Sequence, residues 1–210
     1  MKTEILKIKG DWQEVVDDCR ATVKKPPLGH EPSSEFKKRL LIAEHSPIRD
    51  IVVKFRWKNI KYWIAMHWKT HTWESRVDTQ RNDRQSRYDR NKAPQEAPVD
   101  FSGDPNLQNL IDTWRKRLCY QASSETRKYA EDFKVALYDV EAEISDVLVP
   151  NCVYRCGCRK RAWGSLAAGL IRWWRNAPTL PVRTFRPVTM PTTAFSGVMR
   201  HDVPLVLQRR

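Results

Sequence analysis

The chain has 210 residues, of which 40% are hydrophobic and nine are tryptophan, so it is long enough to bury one substantial core. It contains no run of 18 apolar residues, and no membrane-spanning helix is therefore expected. The formal net charge is +13. Residues 159–210 hold ten Lys or Arg and one acidic residue, so residues 1–158 carry a net charge of only +4. This low charge argues against nucleic-acid binding by residues 1–158.

The first 57 residues predict two strands and two helices. Residues 2–9 form the first strand, and residues 11–23 form a helix with apolar side chains at helical spacing. Ser34 is the expected N-cap of the second helix. Residues 51–57 alternate between apolar and charged side chains, which is typical of a strand with one buried face. The apolar residues of the first helix are Trp12, Val15, Val16 and Cys19, those of the second are Phe36, Leu40 and Leu41, and those on the buried face of the strand are Val53, Phe55 and Trp57.

The next segment carries two histidines at helical spacing. Lys58-Asn59 is expected to turn the chain into a helix over residues 60–72. Four residues of this helix follow one another at steps of four, three and four, which puts them on one face. They are Ile60, Ile64, His67 and His71. Residues 74–103 are polar and without period, and they predict a long loop.

Two long helices are predicted after this loop. The first covers residues 105–122, and the second begins at a Ser124 N-cap and runs to residue 148. Because the connection between them is short, we expect antiparallel neighbours. The elements together indicate an α+β fold, with one compact domain that contains a mixed sheet and several helices. The apolar stripes of the two helices are Leu107, Leu110, Ile111, Trp114 and Leu118, and then Tyr129, Phe133, Ala136, Val140, Ile144 and Val147.

Residues 159–210 differ in composition from the rest of the chain. They contain five of the thirteen prolines and no glutamate, and after Lys160 every Lys or Arg is arginine. We therefore predict one domain over residues 1–158 and an arginine- and proline-rich tail, with a short helix over residues 161–175. Three interpretations of the tail stay open: a disordered extension, an arginine arm for nucleic acid, or a terminus that is not native to the fold.

The compartment is predicted from the N-terminus and the cysteines. Residues 1–7 lack the apolar stretch of a signal peptide. Five cysteines, an odd number, fit reduced thiols inside a cell. We expect a cytoplasmic protein.

His67 and His71 have the spacing that lets two imidazoles of one helix bind a single metal ion. The zinc-protease version of this motif needs a glutamate after the first histidine, and Trp68 stands there. The three cysteines between Cys152 and Cys158 do not form the paired C-x2-C pattern of structural zinc sites. We therefore expect no metal ion, and favour histidines that are hydrogen-bonded in a groove.

Residues 79–88 concentrate guanidinium and amide groups just after the second histidine. These groups hold phosphates and the edges of bases, although a solvated charged loop has the same composition. The groups belong to Gln80, Arg81, Asn82, Arg84, Gln85 and Arg87.

Taken together, these features resemble the flavin-dependent thymidylate synthases. The resemblance covers residues 40–90, and the helices up to Arg155 fit the layout of short, virus-type members. It implies the family's α/β fold, assembled as a homotetramer with sites shared between subunits. The residues that carry it are Glu44-His45-Ser46-Pro47, the alternating strand, His67-Trp68-Lys69-Thr70-His71-Thr72 and Thr79-Gln80-Arg81.

The resemblance implies roles for individual residues of the two histidine motifs. His45 and Ser46 match the family's H-[ST]-P turn, whose histidine and hydroxyl lie near the flavin. The helix corresponds to a Q-x-x-R-H-R motif, in which the first residue contacts the nucleotide and R-H-R holds the flavin. His67 stands at that first position, and His71 is the central histidine.

A second signature of the family, S-x-N-E-x-S-x-R-Y, binds dUMP and flavin. Ser75 matches its first serine as a substrate contact, and Asp78 stands at the acidic position as a cofactor contact. A one-residue gap aligns Thr79-Gln80-Arg81 with the S-x-R element that grips the dUMP phosphate. Ser86-Arg87-Tyr88 is the alternative register for that element.

The reaction implied by the resemblance is the methylation of dUMP to dTMP. Methylenetetrahydrofolate would donate the one-carbon unit, and FAD, recharged by NADPH, would carry the hydride. No catalytic side chain is assigned. The family needs no cysteine nucleophile, so the scattered cysteines do not contradict the resemblance. The implied location is the cytoplasm, which for a viral protein means that of the host.

The chain departs from the family pattern at Thr70 and Thr72, which replace both arginines of R-H-R. Each charge-assisted hydrogen bond is worth about 1.5–3 kcal/mol, so two losses weaken affinity by about two to four powers of ten. Lys69 and Arg76 are neighbouring candidates to compensate. Three hypotheses therefore stand: an active synthase, a catalytically dead relative, or a basic nucleic-acid-binding protein.

Overall fold

A computed structural model describes residues 2–78, 84, 89 and 91–155. In this part of the chain an antiparallel four-stranded sheet carries helices on one face, which confirms the α+β class. The strands are β1 (Thr3–Lys9), β2 (Val52–Lys61), β3 (Glu74–Val77) and β4 (Pro98–Asp104), in the order β1-β2-β4-β3. The helices are α1 (Trp12–Ala21), α2 (Ser34–Ala43), a 3-10 helix (Ser46–Asp50), α3 (Tyr62–Lys69), α4 (Leu107–Arg117), α5 (Ser124–Tyr138), α6 (Ala142–Val147) and α7 (Asn151–Tyr154).

The tail predicted over residues 159–210, with its short helix, lies outside the described residues. The domain boundary at residue 158 therefore stays a prediction. No helix among the described residues is long and apolar enough to cross a membrane.

The inner face of the sheet supplies the centre of the core. Phe55 and Trp57 of β2 and Phe101 of β4 are fully buried, while Lys54 and Arg56 lie on the opposite, partly exposed face. This is the alternation that the sequence predicts for β2.

Aromatic rings from the sheet and the helices meet in this core. Phe133 of α5 packs with Phe55 at 4.9 Å and with Trp114 of α4 at 4.2 Å between ring centroids. Trp57 packs with Trp68 of α3 at 4.8 Å. Each such pair adds about 0.5–1.5 kcal/mol to the stabilisation from burial alone, so the aromatic cluster fixes α3, α4 and α5 on the sheet.

The predicted turn at Lys58-Asn59 is wrong, because β2 continues to Lys61. The pairing with β4 is irregular between Trp57 and Ile60, where Asn59 adopts a positive φ of 53°. The backbone N–H of Asn59 donates to the Asp100 carboxylate at 3.0 Å. A β-bulge thus takes the place of the turn.

The long loop predicted over residues 74–103 is also wrong at both ends, which form β3 and β4. β3 is only four residues long, and the exposed face of β4 carries polar groups such as Asp100 and Ser102. Such short strands show little apolar periodicity, and they are specified by their pairing partners rather than by their own sequence.

The helix predicted over residues 124–148 is interrupted after Tyr138. α6 folds back so that the Ser145 hydroxyl donates to the Lys134 carbonyl at 2.8 Å, and the Lys134 ammonium donates to the Ser145 carbonyl. Ile144 is buried by this arrangement, whereas Val140, predicted to be buried, is 56% exposed. The apolar pattern of residues 124–148 therefore continues across the turn between α5 and α6.

Gly103 of β4 provides a test of this packing. A Cβ at this position would lie 2.1 Å from Cζ3 of Trp73, so we expect G103A to lower the free energy of unfolding by about 1–3 kcal/mol. Urea denaturation measures the change. The control S102A lies on the opposite face of β4 and is expected to change stability by less than about 0.5 kcal/mol. Equal stability of the two variants would contradict the observed contact between Gly103 and Trp73.

Candidate functional site

His67 joins the end of α3 to the start of α5. Its Nδ1 shares a hydrogen bond of 3.1 Å with Oγ1 of Thr126. Thr126 in turn accepts a hydrogen bond of 2.7 Å from the hydroxyl of Ser123, the N-cap of α5. The imidazole is therefore oriented by the Thr126 hydroxyl, which is itself held by Ser123.

His71 is hydrogen-bonded to Arg117 at the end of α4, a residue outside the predicted site. The Nε–H of Arg117 donates to Nε2 of His71 at 2.8 Å. The same guanidinium donates to the carbonyl of His67 at 2.5 Å and lies 3.4 Å from the Thr70 hydroxyl. Arg117 thus links the end of α3 and the residues that follow it through hydrogen bonds.

The environment of His71 favours its neutral form. Burial, together with the nearby charges of Arg117 and Lys116, lowers the pKa of His71 from 6.5 to about 4. Since Nε2 accepts from Arg117, the proton of the neutral ring is assigned to Nδ1. At neutral pH the site therefore combines one permanent cation with one imidazole N–H donor.

Arg117 lies beside Thr70, whereas Thr72 contacts a different residue of α4. The Thr70 hydroxyl donates to the His67 carbonyl at 2.9 Å, and the Thr72 carbonyl accepts from the Asn109 amide at 3.1 Å. A guanidinium from α4 thus lies beside both Thr70 and His71. Arg117 could have been found from the sequence, because it follows the buried residues Leu110 and Trp114 at helical steps of four and three and so lies on the same side of the helix.

Trp73 lies on one side of the hydrogen-bonded group formed by His71, Thr70 and Arg117. Its ring is parallel to that of His71, with centroids 6.4 Å apart, and its indole N–H donates to the Thr113 hydroxyl at 3.2 Å. Trp73 also packs against Gly103, the β4 partner of Ser75.

Ser75 and Asp78, both predicted ligand contacts, lie on opposite faces of the sheet. Ser75 shares the inner face with Val77, whereas Asp78 lines an outer groove of about 330 Å³ together with Arg56 and Arg76. The Asp78 carboxylate accepts from the backbone N–H of Asp100 at 2.9 Å. Within the chain, Asp78 is therefore not brought to the side of the sheet that holds His71.

Arg76 is engaged by acidic residues. Its guanidinium donates to Glu74 at 2.9 Å and to Asp104 at 3.3 Å. Its charge is therefore compensated by two carboxylates. Thr79, Gln80, Arg81 and the alternative Ser86-Arg87-Tyr88 register lie outside the described residues.

His45 and Ser46 form an exposed turn at the start of the 3-10 helix. Nδ1 of His45 lies 3.6 Å from Sγ of Cys19 in α1. Burial raises the pKa of the Cys19 thiol, and the charge of Asp18 raises it further. This thiol is therefore not an activated nucleophile.

Glu44, which precedes the turn, is bound by α4. Its carboxylate accepts from Arg115 at 2.5 Å and from Gln108 at 2.6 Å. Burial raises the pKa of Glu44, but the hydrogen bonds from Arg115, Gln108 and Tyr154 outweigh this effect and hold the pKa below its usual value.

Two turns that contain histidine, residues 44–46 and residues 70–73, contact different flanks of α4. Glu44 meets positions 108 and 115, while the His71 segment meets positions 109, 113 and 117. An α-helix rotates by 100° per residue, so even the nearest positions of the two sets, 108 and 109, lie more than a quarter of a turn apart around the helix axis. The structure thus keeps apart, within one chain, two turns that the sequence analysis expects in one site.

The metal alternative fits poorly. His71 lies beyond the end of α3 at Lys69, so the helical i, i+4 geometry with His67 is not kept. The ring nitrogens described above face Thr126 and Arg117. No group of three metal-ligating side chains is found in the described part of the chain.

The depressed pKa of His71 predicts a pH dependence of stability. Between pH 6.5 and 4 the unfolded state binds this proton more readily than the folded state, so the free energy of unfolding falls as the pH is lowered through this window. We expect a contribution on the order of 1 kcal/mol, reduced by the partial exposure of the ring. The variant H71Q keeps an acceptor for Arg117 and should lose this contribution. Urea denaturation across the window measures it.

The exposed His30, whose ring contacts the carbonyl of Glu31, provides the control. H30Q should keep the pH slope of the original chain. A slope for H71Q that matches the H30Q slope would contradict the proton linkage assigned to His71.

Comparison with known proteins gives a structural match but no sequence match. No family model and no curated protein matches the chain. A crystal structure of flavin-dependent thymidylate synthase ThyX from Helicobacter pylori, complexed with FAD and dUMP, superposes with a TM-score of 0.55 at 12% identity, over 71% of this chain and 100% of that one. A second structure of ThyX from the same organism, also with FAD and dUMP, gives a TM-score of 0.57 at 11% identity, over 70% and 99%. The described domain has the fold of the flavin-dependent thymidylate synthases.

Proposed function

We propose that the chain binds FAD and dUMP and methylates dUMP to dTMP. The observation that carries this proposal is the guanidinium of Arg117 against His71 and Thr70, within the thymidylate synthase fold. It returns a permanent cation to a motif that has lost both of its arginines. We further propose methylenetetrahydrofolate as the one-carbon donor, NADPH as the reductant and the cytoplasm as the location, as in virus-type members.

The residues around His71 fit an anionic cofactor such as FAD. Arg117 and Lys116 supply positive charge at the end of α4, and their effect on the pKa of His71 indicates a positive local potential. Such a potential favours the two phosphates of FAD and the phosphate of dUMP. Guanidinium groups are well suited to phosphates because their N–H groups form a planar fork.

When bound, FAD would supply the hydride chemistry, and the protein groups would bind and orient. His71 would donate from Nδ1 while Arg117 holds Nε2, so that the ring keeps one tautomer. His67, oriented by Thr126, would contact the nucleotide. Ser75 and the Thr79-Gln80-Arg81 segment would complete the dUMP site.

His45, Ser46 and Asp78 are proposed to reach the flavin of another subunit. His45 and Ser46 are exposed and lie on a different flank of α4 from His71, and Asp78 faces the outer groove of the sheet. A site assembled from several chains would unite these residues. A homotetramer with shared sites is therefore part of the proposal.

Flavin uptake tests the binding part of this proposal. The purified chain, incubated with FAD and freed of excess ligand, should retain flavin absorbance, and dUMP should perturb that spectrum. Rescue of a thymidine-requiring bacterium then tests for activity. A protein that binds FAD without rescue would be a catalytically dead relative, in keeping with Thr70 and Thr72. A colourless protein that takes up no FAD and binds DNA with a steep salt dependence would overturn the proposal in favour of nucleic-acid binding.

Arg117 provides a sharper test. We expect R117A to weaken FAD binding by about ten- to a hundredfold, the cost of one charge-assisted hydrogen bond. R117K should fall between R117A and the original chain, because it keeps the charge but not the planar fork. Equilibrium titration with FAD measures both.

The control for these variants is R39A, which removes an exposed arginine that pairs with Glu35 in α2. It should leave the affinity for FAD unchanged. Thermal unfolding of each variant identifies any loss that comes from misfolding. If folded R117A binds FAD as tightly as R39A does, Arg117 does not replace the missing motif arginines.

A further inference from the structure

Glu44 is held more firmly than the histidine turn it precedes. One carboxylate oxygen accepts from Arg115 at 2.5 Å and the other from Gln108 at 2.6 Å, so both oxygens are engaged by α4. By contrast, His45 and Ser46 are exposed, and the imidazole of His45 lies 3.6 Å from the Cys19 thiol. The turn therefore takes its orientation from the residues that flank it.

The side chain of Arg115 is buried where it contacts Glu44. Its side chain is 9% exposed, and that of Glu44 is 19% exposed. The Tyr154 ring of α7 covers the guanidinium, with Cζ 3.4 Å from the ring centroid, and Asp112 lies 3.6 Å away. A charge buried to this degree is retained only with its partner, so the two side chains hold each other in place.

The backbone at Glu44 makes the position unusual. Glu44 is the C-cap of α2 and adopts the left-handed conformation, with a φ of 51°. Glycine is the usual residue there because a side chain is strained in this conformation. A glutamate fits the position because its carboxylate gains two hydrogen bonds from α4. On the other side of the turn, the fully buried Ile48 fixes the 3-10 helix.

We propose that Glu44 and Arg115 form a positioning pair that sets the orientation of the His45–Ser46 turn for its role in the flavin site. This inference rests on the proposed function for that role, although the orientation itself is a property of the chain without ligand. Neither residue of the pair is proposed to touch the reacting atoms. The pair also ties the turn, through Tyr154, to the last helix of the described domain.

The first test needs no ligand. In E44Q, which keeps the size of the side chain but removes its charge, we expect the imidazole resonances of His45 to shift in an NMR spectrum. The rate of Cys19 alkylation, followed by peptide mass mapping, should also change, because the ring beside the thiol moves. R115K, which keeps the charge but not the planar fork, should shift both readouts in the same direction.

The matched control is E35Q, which breaks the exposed pair between Glu35 and Arg39 on the same helix. It should leave the His45 resonances and Cys19 alkylation unchanged. Thermal unfolding accompanies each variant, and R115K carries the test if E44Q does not fold. Unchanged His45 resonances and Cys19 alkylation in a folded variant of either residue would overturn the positioning role.

The second test uses FAD titration. E44Q and R115K should each weaken FAD binding by about tenfold, and the double variant should be no weaker than the single ones, because both changes break the same pair. If the original chain takes up no FAD, the proposed function fails, and the NMR and alkylation results still decide the orientation. If the original chain binds FAD and the variants bind it equally well, the pair has no role in the flavin site.

Discussion

The burial of Trp114 in α4 is the contact on which the rest of the site depends. Its ring lies 4.2 Å from that of Phe133 and 5.0 Å from that of Trp68, and its indole N–H donates to the Ala130 carbonyl at 3.1 Å. These contacts fix the rotation of α4 about its own axis. Once that rotation is fixed, Arg115 must project on one flank and Arg117 on the other, since two helical positions that are two residues apart differ by about 200°. The two histidine turns are organised by these two arginines.

The two arginines act in different electrostatic settings. Arg115 is paired with Glu44, so its charge is compensated by an acid and stabilises a local structure. Arg117 donates to the neutral acceptors of His71, His67 and Thr70, so its charge remains available to an anionic ligand. Burial is the largest cause of the low pKa of His71, and the charges of Arg117 and Lys116 lower it further, so the imidazole stays neutral beside a cation.

Much of the framework was predictable from the chain alone. The alternation of residues 51–57 predicts β2, and the apolar stripes after residue 105 predict α4 and α5, because burial of one face imposes a period of 2 on a strand and of 3.6 on a helix. β3 and β4 could not be predicted in this way, since one is very short and the other has a polar outer face. The break after Tyr138 leaves the apolar pattern intact, so the pattern does not reveal it.

The sequence by itself determined the α+β class, the burial of the tryptophan-rich core and the two motifs that resemble flavin-dependent thymidylate synthases. These features depend on the spacing of residue types along the chain, which can be read from the sequence. Only the tertiary structure decided that Arg117 meets His71 across 46 residues and that Arg115 meets Glu44 across 71. It also decided that Ser75 and Asp78 face opposite sides of the sheet and that the two histidine turns lie on separate flanks of α4. The physical reason is that side chains far apart in sequence meet only where packing fixes the rotation of a helix and the register of a strand, and neither quantity is encoded by residue spacing alone.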